Sequence, residues 1–287
     1  MNYTLFEIAY LSRIDTITQS DEINLLVANA LRFVIKNIFA NISNTLVMTT
    51  STGKGPVEFW LHDILAKLLL NWEFMAIQLV VLGHLTKALR VPGQRYCNMI
   101  MIDSLASLVK TNIAEYNQES DNLEYYFIFL QMPDSVIVKE MKKIFKYCFD
   151  HYWMHCNIMI QNSKGEILIY TYFPFKKNKC FQTEPELINR FKRNRFETEI
   201  MFPNKLKNLN GCPLKLSTWD VPPFVIKATN KKYPDVPVSG FEIHALVTIS
   251  HQMNFILDVE WISQNTYSNN SNVIGPLTRV SKETKTI

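Results

Sequence analysis

No apolar run in this chain of 287 residues approaches the ~20 residues that a bilayer-spanning helix requires. The longer ones, 64–70 and 75–82, have the length of buried helix or strand segments. Charge of one sign is scarce too. Lys and Arg number 30 against 26 Asp and Glu, a formal net charge of +4, too small over this length to dictate a nucleic-acid or membrane-surface partner. Cysteine is limited to five, an odd number that makes no disulfide framework by itself. The amino terminus has neither a basic region nor a sustained apolar stretch, so no signal peptide is read there.

Catalytic signatures are missing as well. The chain has no Gly-x-Ser-x-Gly elbow, no His-Glu-x-x-His helix and no dinucleotide-binding glycine fingerprint. An enzyme is therefore not expected, nor a cofactor. Gly53-Lys54-Gly55 lacks the upstream glycine of a phosphate loop and Pro56 removes an amide donor, so it reads as a surface turn. Cys148, His151, His155 and Cys156 are zinc-binding residue types within nine residues. Zinc sites draw on separated ligand pairs, and core packing explains both cysteines, so no metal is expected. Arg190, Lys192, Arg193 and Arg195 form the densest basic cluster. With only Phe191 and Phe196 beside it for stacking, it reads as a solvated linker helix rather than a nucleic-acid surface.

What is present is a globular composition, 47% hydrophobic with 20% charged, over a length sufficient for two domains. The apolar spacing predicts a helix over 21–40 with Ile23, Leu26, Val27, Ala30, Leu31, Val34 and Ile38 in one broad stripe. A strand over 45–49 and a helix over 59–70, with Leu61, Ile64, Leu65 and Leu68 inward, follow the same logic. Segments 76–82 and 96–102 read as buried strands. Asp103 is placed to cap a helix whose inner face is Leu105, Leu108, Val109 and Ile113. After a strand over 125–131, Pro133-Asp134 opens a helix to 149 with Ile137, Met141, Ile144, Phe145 and Cys148 on one face. Segments 157–161 and 166–172 form a hairpin through the turn at 162–165. Strands alternating with helices give an α/β layered domain with a largely parallel sheet. The composition shifts between 175 and 209, which places a domain boundary near 205 and divides the chain into 1–204 and 205–287.

The second region begins with an alternating strand over 213–218. Pro222-Pro223 forbids regular pairing, and Val225-Ile226 resumes extended structure. Gly240 then opens a helix with Ile243, Leu246, Val247 and Met253 on one side, and 255–259 is a second short strand. Such a strand–loop–helix–strand unit favours parallel pairing, with a ligand pocket at the carboxyl end of the first strand. Phe224 lies at that position, just past the two prolines.

The order Ser217-Thr218-Trp219-Asp220-Val221-Pro222-Pro223-Phe224-Val225-Ile226-Lys227 resembles the start of the ligand-binding lobe of ionotropic glutamate receptors. Within that family the likeness is to the divergent insect branch, the chemosensory ionotropic receptors. Ser239-Gly240-Phe241-Glu242 is similar to the family's approach to the next helix, and Asn254-Phe255 to its exit. Val273-Ile274-Gly275-Pro276-Leu277 is similar to the segment before the third strand. Upstream, Tyr170–Phe175 followed by Cys180 resembles the end of the amino-terminal domain in divergent insect members, so the likeness spans roughly 120–287.

The resemblance implies a layered amino-terminal domain followed by the first half of a periplasmic-binding-protein-like lobe. Pro223 matches the family proline and Phe224 the aromatic that lies over the bound agonist. Val221 and Pro222 stand where glutamate receptors carry acidic residues, so recognition of glutamate itself is not implied. It further implies the extracellular side of a cell-membrane cation channel for taste or smell, with a small-molecule ligand and co-receptor subunits in a tetramer. The pore segments and the arginine that grips a ligand carboxylate would follow Ile287, so the chain is expected to be an amino-terminal portion. Extracellular placement would make Asn2, Asn41 and Asn269 glycosylation sites and would allow a disulfide from Cys180 to Cys148 or to Cys156. A soluble binding protein of the periplasmic type is the alternative that the alternation of strands and helices also permits.

Overall fold

The computed structural model describes residues 22–53, 57–70, 72–73, 75–82, 96–113, 124–227 and 238–261. Asn2, Asn269, Lys54-Gly55-Pro56 and residues 273–277 lie outside that set. The chain divides into two compact units, the first Met1–Tyr172 with Thr183–Pro203, the second Phe173–Gln182 with Asn204–Ile287.

Unit 1 opens with helix α1 over residues 22–37, continued by a 3-10 turn at Phe39–Asn41. In chain order follow β1 (Thr45–Ser51), α2 (Val57–Leu69), β2 (Ala76–Leu82), β3 (Cys97–Ile102), α3 (Leu105–Lys110), β4 (Tyr125–Leu130), α4 (Asp134–Asp150), β5 (His155–Gln161) and β6 (Ile167–Thr171). The short strands β7 (Phe175–Lys176) and β8 (Lys179–Cys180) belong to unit 2, after which β9 (Glu186–Lys192) and β10 (Arg195–Phe196) return to unit 1. The eight strands of unit 1 form one sheet in the order β10-β9-β6-β5-β4-β3-β1-β2. The five from β5 to β2 run parallel, and β6, β9 and β10 are antiparallel.

Burial follows from helices covering both faces. Every residue of β3 and all but the first of β4 are buried, which is what a doubly covered parallel sheet demands. The period of two sorts the side chains. Met48, Met99, Met101, Phe127 and Phe129 meet the helices α1 and α2. Ile100, Ile102, Tyr126, Ile128 and Leu130 meet α3 and α4. All five residues expected on the inner face of α4 are buried there. Residues Glu22–Asn41 are long and apolar enough to cross a bilayer, with mean hydropathy 1.4. Yet Val27, Leu31, Val34 and Ile35 are fully buried in the core on the sheet, so packing accounts for the apolar stripe.

Three local expectations give way here. Segment 76–82, expected as a buried strand, is the end strand β2, with Leu79 and Val81 exposed. The cap of α3 is Ser104, whose hydroxyl accepts the Ser107 amide, and Val109 faces outward at 48% exposure. Asp103 is drawn off by other donors, and a helix of six residues has too few turns to bury a second stripe. The basic segment 190–195 is not a linker helix but the paired strands β9 and β10, joined by Arg193-Asn194 with both residues in the left-handed region (φ 51° and 59°). Asn189 and Phe191 are the inward residues of β9, and Phe191 packs 4.9 Å from Phe196. The intervening basic residues conceal that alternation in the sequence.

Unit 2 consists of β11 (Cys212–Thr218), β12 (Ile226–Lys227), β13 (Val238–Ser239), α5 (Phe241–Met253) and β14 (Phe255–Trp261), with the β7–β8 ribbon. Strands β11 and β14 pair in parallel from Cys212 opposite Phe255 to Thr218 opposite Trp261, with α5 as the crossover. Among the described residues, Val225, Val238 and Ile243 form one buried cluster, with Leu216, Val259 and Trp261 packed against it. Of the residues expected inward on α5, Ile243 is buried while Val247 is 37% exposed.

The disulfide expected between Cys148 and Cys180 is replaced. Cys180 bonds Cys212, with their Cα atoms 5.6 Å apart, and so ties the β7–β8 ribbon to the start of β11. The same ribbon receives the Asn210 side-chain amide at the Phe175 carbonyl (2.7 Å). The chain leaves unit 1 after Tyr172, so Cys180 belongs to unit 2, and Cys148 stays on the inner face of α4 beside Cys156.

Candidate functional site

Phe224 occupies a tight turn that is fastened on two sides. Within the turn, the Val221 amide donates to the Val225 carbonyl (2.8 Å), while the Phe224 and Val225 amides donate to the Val221 carbonyl (2.9 and 3.0 Å). Across to α5, the amides of Phe241 and Glu242 donate to the carbonyls of Pro223 (3.2 Å) and Phe224 (3.0 Å). The turn thereby caps the helix. Close approach is possible only because residue 240 is glycine: a Cβ there would stand 2.3 Å from the Phe224 carbonyl oxygen, and φ is +115°. At the far end of the turn, Asp220 accepts the Lys227 amide (2.9 Å), and the Lys227 ammonium lies 5.3 Å from the Trp261 ring centroid.

The outcome is a large aromatic ring held by a stiff backbone yet 47% exposed. Chemically the turn offers a π face and apolar edges. Neither Val221 nor Pro222 can pair with a ligand ammonium, and two first-turn amides of α5 that could receive an anion are already taken by the turn.

A second constellation lies in unit 1, and the sequence reading passed over it. Strand β1 sits between β3 and β2, so the chain crosses the sheet in one direction from β1 to β2 and in the other from β2 to β3. The carboxyl ends of β1 and β3 therefore border the crevice where open α/β sheets receive ligands. Asp103 organises that edge. Its Oδ2 accepts the Gly53 amide (2.7 Å), and its Oδ1 accepts the Ser104 hydroxyl (2.9 Å) and the Ser107 hydroxyl. Ser51, at the end of β1, keeps its hydroxyl buried without a hydrogen-bond partner among the described residues. Nearby, Glu140 accepts the Leu105 amide (2.8 Å). Burial pushes its carboxyl up, but Lys143, that amide and Lys139 outweigh it and hold it below the ordinary carboxylate range. A strand ending in Ser-Thr-Gly and another ending in Asp-Ser were visible in sequence; that they are neighbours at a switch point was not.

The other residues singled out by sequence disperse. His151 Nδ1 lies 2.7 Å from the Tyr147 carbonyl, and His155 stacks on Tyr125 at 4.7 Å, so neither ring turns toward the two cysteines as a ligand set. Among the described residues no cluster of three or more His, Cys, Asp or Glu is arranged to hold a metal. Burial pushes the Cys97 thiol up to about 12, which leaves it protonated and unreactive. Asn41 is exposed on the 3-10 turn, and its side-chain amide donates to the Asn37 carbonyl (2.9 Å).

The family described as "Putative ionotropic receptor, ligand binding domain" matches residues 17–208, two thirds of the chain. The chain belongs to this family of ionotropic receptor ligand-binding domains. The mixed α/β architecture with its large, mostly parallel sheet agrees with a periplasmic-binding-protein-like ligand-binding domain. Its place is thus the extracellular, ligand-binding part of a membrane receptor. The matched span takes in unit 1 from residue 17 onward, with residues 173–182 and 204–208 of unit 2, and ends before Phe224. A comparison with curated proteins gives no match.

Proposed function

We propose that this chain is the ligand-sensing, amino-terminal portion of an insect-type chemosensory ionotropic receptor, serving taste or smell in a tetramer with co-receptor subunits. Ligand capture in the lobe begun by unit 2 closes it, and that closure pulls open a cation-selective pore. Residues 1–204 act as the amino-terminal domain and residues 205–287 as the first half of the lobe.

The observation that carries the reading is the Phe224 turn: a large ring 47% exposed on a backbone that hydrogen bonds fix from both sides. Leaving such a ring in water forfeits burial energy, while a preorganised ring lowers the ordering cost of binding. Phe224 stacks against a small organic ligand, and Pro223 holds the turn by its restricted φ. Val221 and Pro222, where glutamate receptors carry acidic residues, favour ligands other than glutamate.

The test is Phe224→Ala in the receptor that carries this chain, co-expressed with a co-receptor subunit, with currents and surface protein scored together. A half-exposed ring contributes little to folding, so surface delivery stays at the level of the unsubstituted receptor while agonist sensitivity falls at least tenfold, equivalent to about 1.4 kcal/mol of binding. Unchanged agonist sensitivity at normal surface level would remove Phe224 from the pocket.

A further inference from the structure

We infer that Cys148 and Cys156 form a second disulfide in the mature receptor domain, a covalent modification separate from Cys180–Cys212. The inference rests on the extracellular placement of the chain, since only an oxidising compartment would make the bond persist.

Cys148 lies in the last turn of α4 and Cys156 is the second residue of β5. Their sulfurs are 3.4 Å apart and both side chains are fully buried in the same core. The reversal between them is rigid: the Trp153 amide donates to the Cys148 carbonyl (2.8 Å), and the Tyr172 hydroxyl donates to the Trp153 carbonyl (3.0 Å). Trp153 also stacks on Tyr126 at 4.0 Å. The two sulfurs stand ~1.3 Å beyond bonding distance, a gap that side-chain rotation closes on forming the bond. Metal binding is the competing use of such a pair, and the neighbouring histidines are engaged elsewhere, at Tyr147 and Tyr125.

The chemistry is thiol–disulfide exchange with a disulfide donor of the secretory compartment, an oxidised oxidoreductase or oxidised glutathione. One cysteine thiolate attacks the donor disulfide, forming a mixed disulfide and expelling one donor thiol. The second thiolate then displaces the other donor sulfur. Two protein thiols lose two electrons and two protons in all, and the donor leaves as two thiols. Because both sulfurs are sealed from solvent in the folded unit, exchange occurs before α4 closes onto the sheet. Afterwards the bond is shielded from reductant.

The experiment uses the full chain secreted from eukaryotic cells behind a heterologous leader. The protein is denatured with an alkylating reagent present and no reductant, then digested with trypsin and analysed by mass spectrometry. Both cysteines fall in one tryptic peptide, residues 147–164. The expected peptide is two hydrogens lighter than the dithiol form and carries no alkyl group, whereas Cys97 in the same sample is alkylated. Two alkylated thiols in that peptide, or either cysteine linked to a different peptide, overturn the inference. If Cys180–Cys212 is intact in that sample, this inference alone falls. If Cys180 and Cys212 are alkylated too, the extracellular placement falls with it.

Discussion

Gly240→Ala attacks the one contact on which the geometry of the Phe224 turn depends. Gly240 has φ +115° and ψ 168°, a region that only glycine visits readily, so an alanine there stores about 1–3 kcal/mol of backbone strain. The new methyl would also meet the Phe224 carbonyl oxygen at 2.3 Å and its carbon at 2.7 Å. Backbone cannot rotate away as a side chain would. Relief requires lifting the turn off α5, which breaks the two amide bonds to the Pro223 and Phe224 carbonyls at about 0.5–1.5 kcal/mol each. Together these come to about 4 kcal/mol. The turn and α5 meet at the buried cluster of Val225, Val238 and Ile243, so the loss falls on that contact. Hydrogen exchange followed by mass spectrometry reads the outcome segment by segment. Protection should collapse in α5 and β14 while β3, β4 and β5 keep theirs, because the units have separate cores. Gly211→Ala is the control: φ is +74° but nothing lies within 4 Å of the added methyl, so it costs only the left-handed strain of about 1–2 kcal/mol. Unchanged protection of α5 in Gly240→Ala, or equal loss from both glycine variants, refutes the steric account. Loss of protection in β3–β5 refutes the independence of the units.

Asp103→Ala removes the acceptor of the Gly53 amide and of the Ser104 and Ser107 hydroxyls, and should lower the stability of unit 1 by about 2–3 kcal/mol in chemical denaturation. Asp103→Asn, which keeps one acceptor oxygen, should recover part of that loss; equal midpoints for all three proteins would show that the carboxylate does not organise the loop. Acid should weaken unit 1 through Glu140 and Asp63. Asp63 is held low by its hydrogen bond to Lys67, opposed by burial and helped by Asn24. Carboxylates lowered in the folded state stabilise it above their unfolded pKa, and the benefit is lost as pH falls below about 4. Glu140→Gln should flatten the fall of the melting temperature with acid; an unchanged slope would dismiss Glu140 as a contributor. Asn41 should carry a glycan in secreted protein, so Asn41→Gln should remove one glycosidase-sensitive step in gel mobility, and identical mobility before and after would exclude that site.

Periodic features were legible in sequence because they are local. The inner face of α4, Ile137 to Cys148, follows from spacing alone, since any partner surface must cover that stripe. The parallel pairing of β11 with β14 follows likewise from a helix too long to be a hairpin turn lying between two short apolar strands. The prolines and Gly240 marked the turn and the helix start through backbone restrictions that act within a few residues. Tertiary structure decided whatever depended on distant segments. The partner of Cys180 turned on the chain leaving unit 1 after Tyr172, which no spacing announces. Residues 190–195 became a strand pair with its turn because Phe33, Phe191 and Phe196 pack together, a contact that outweighs the helical appearance of a basic cluster. The meeting of Gly53 with Asp103, 50 residues apart, required the order β2-β1-β3, and strand order is settled by which hydrophobic faces close on one another, not by local pattern.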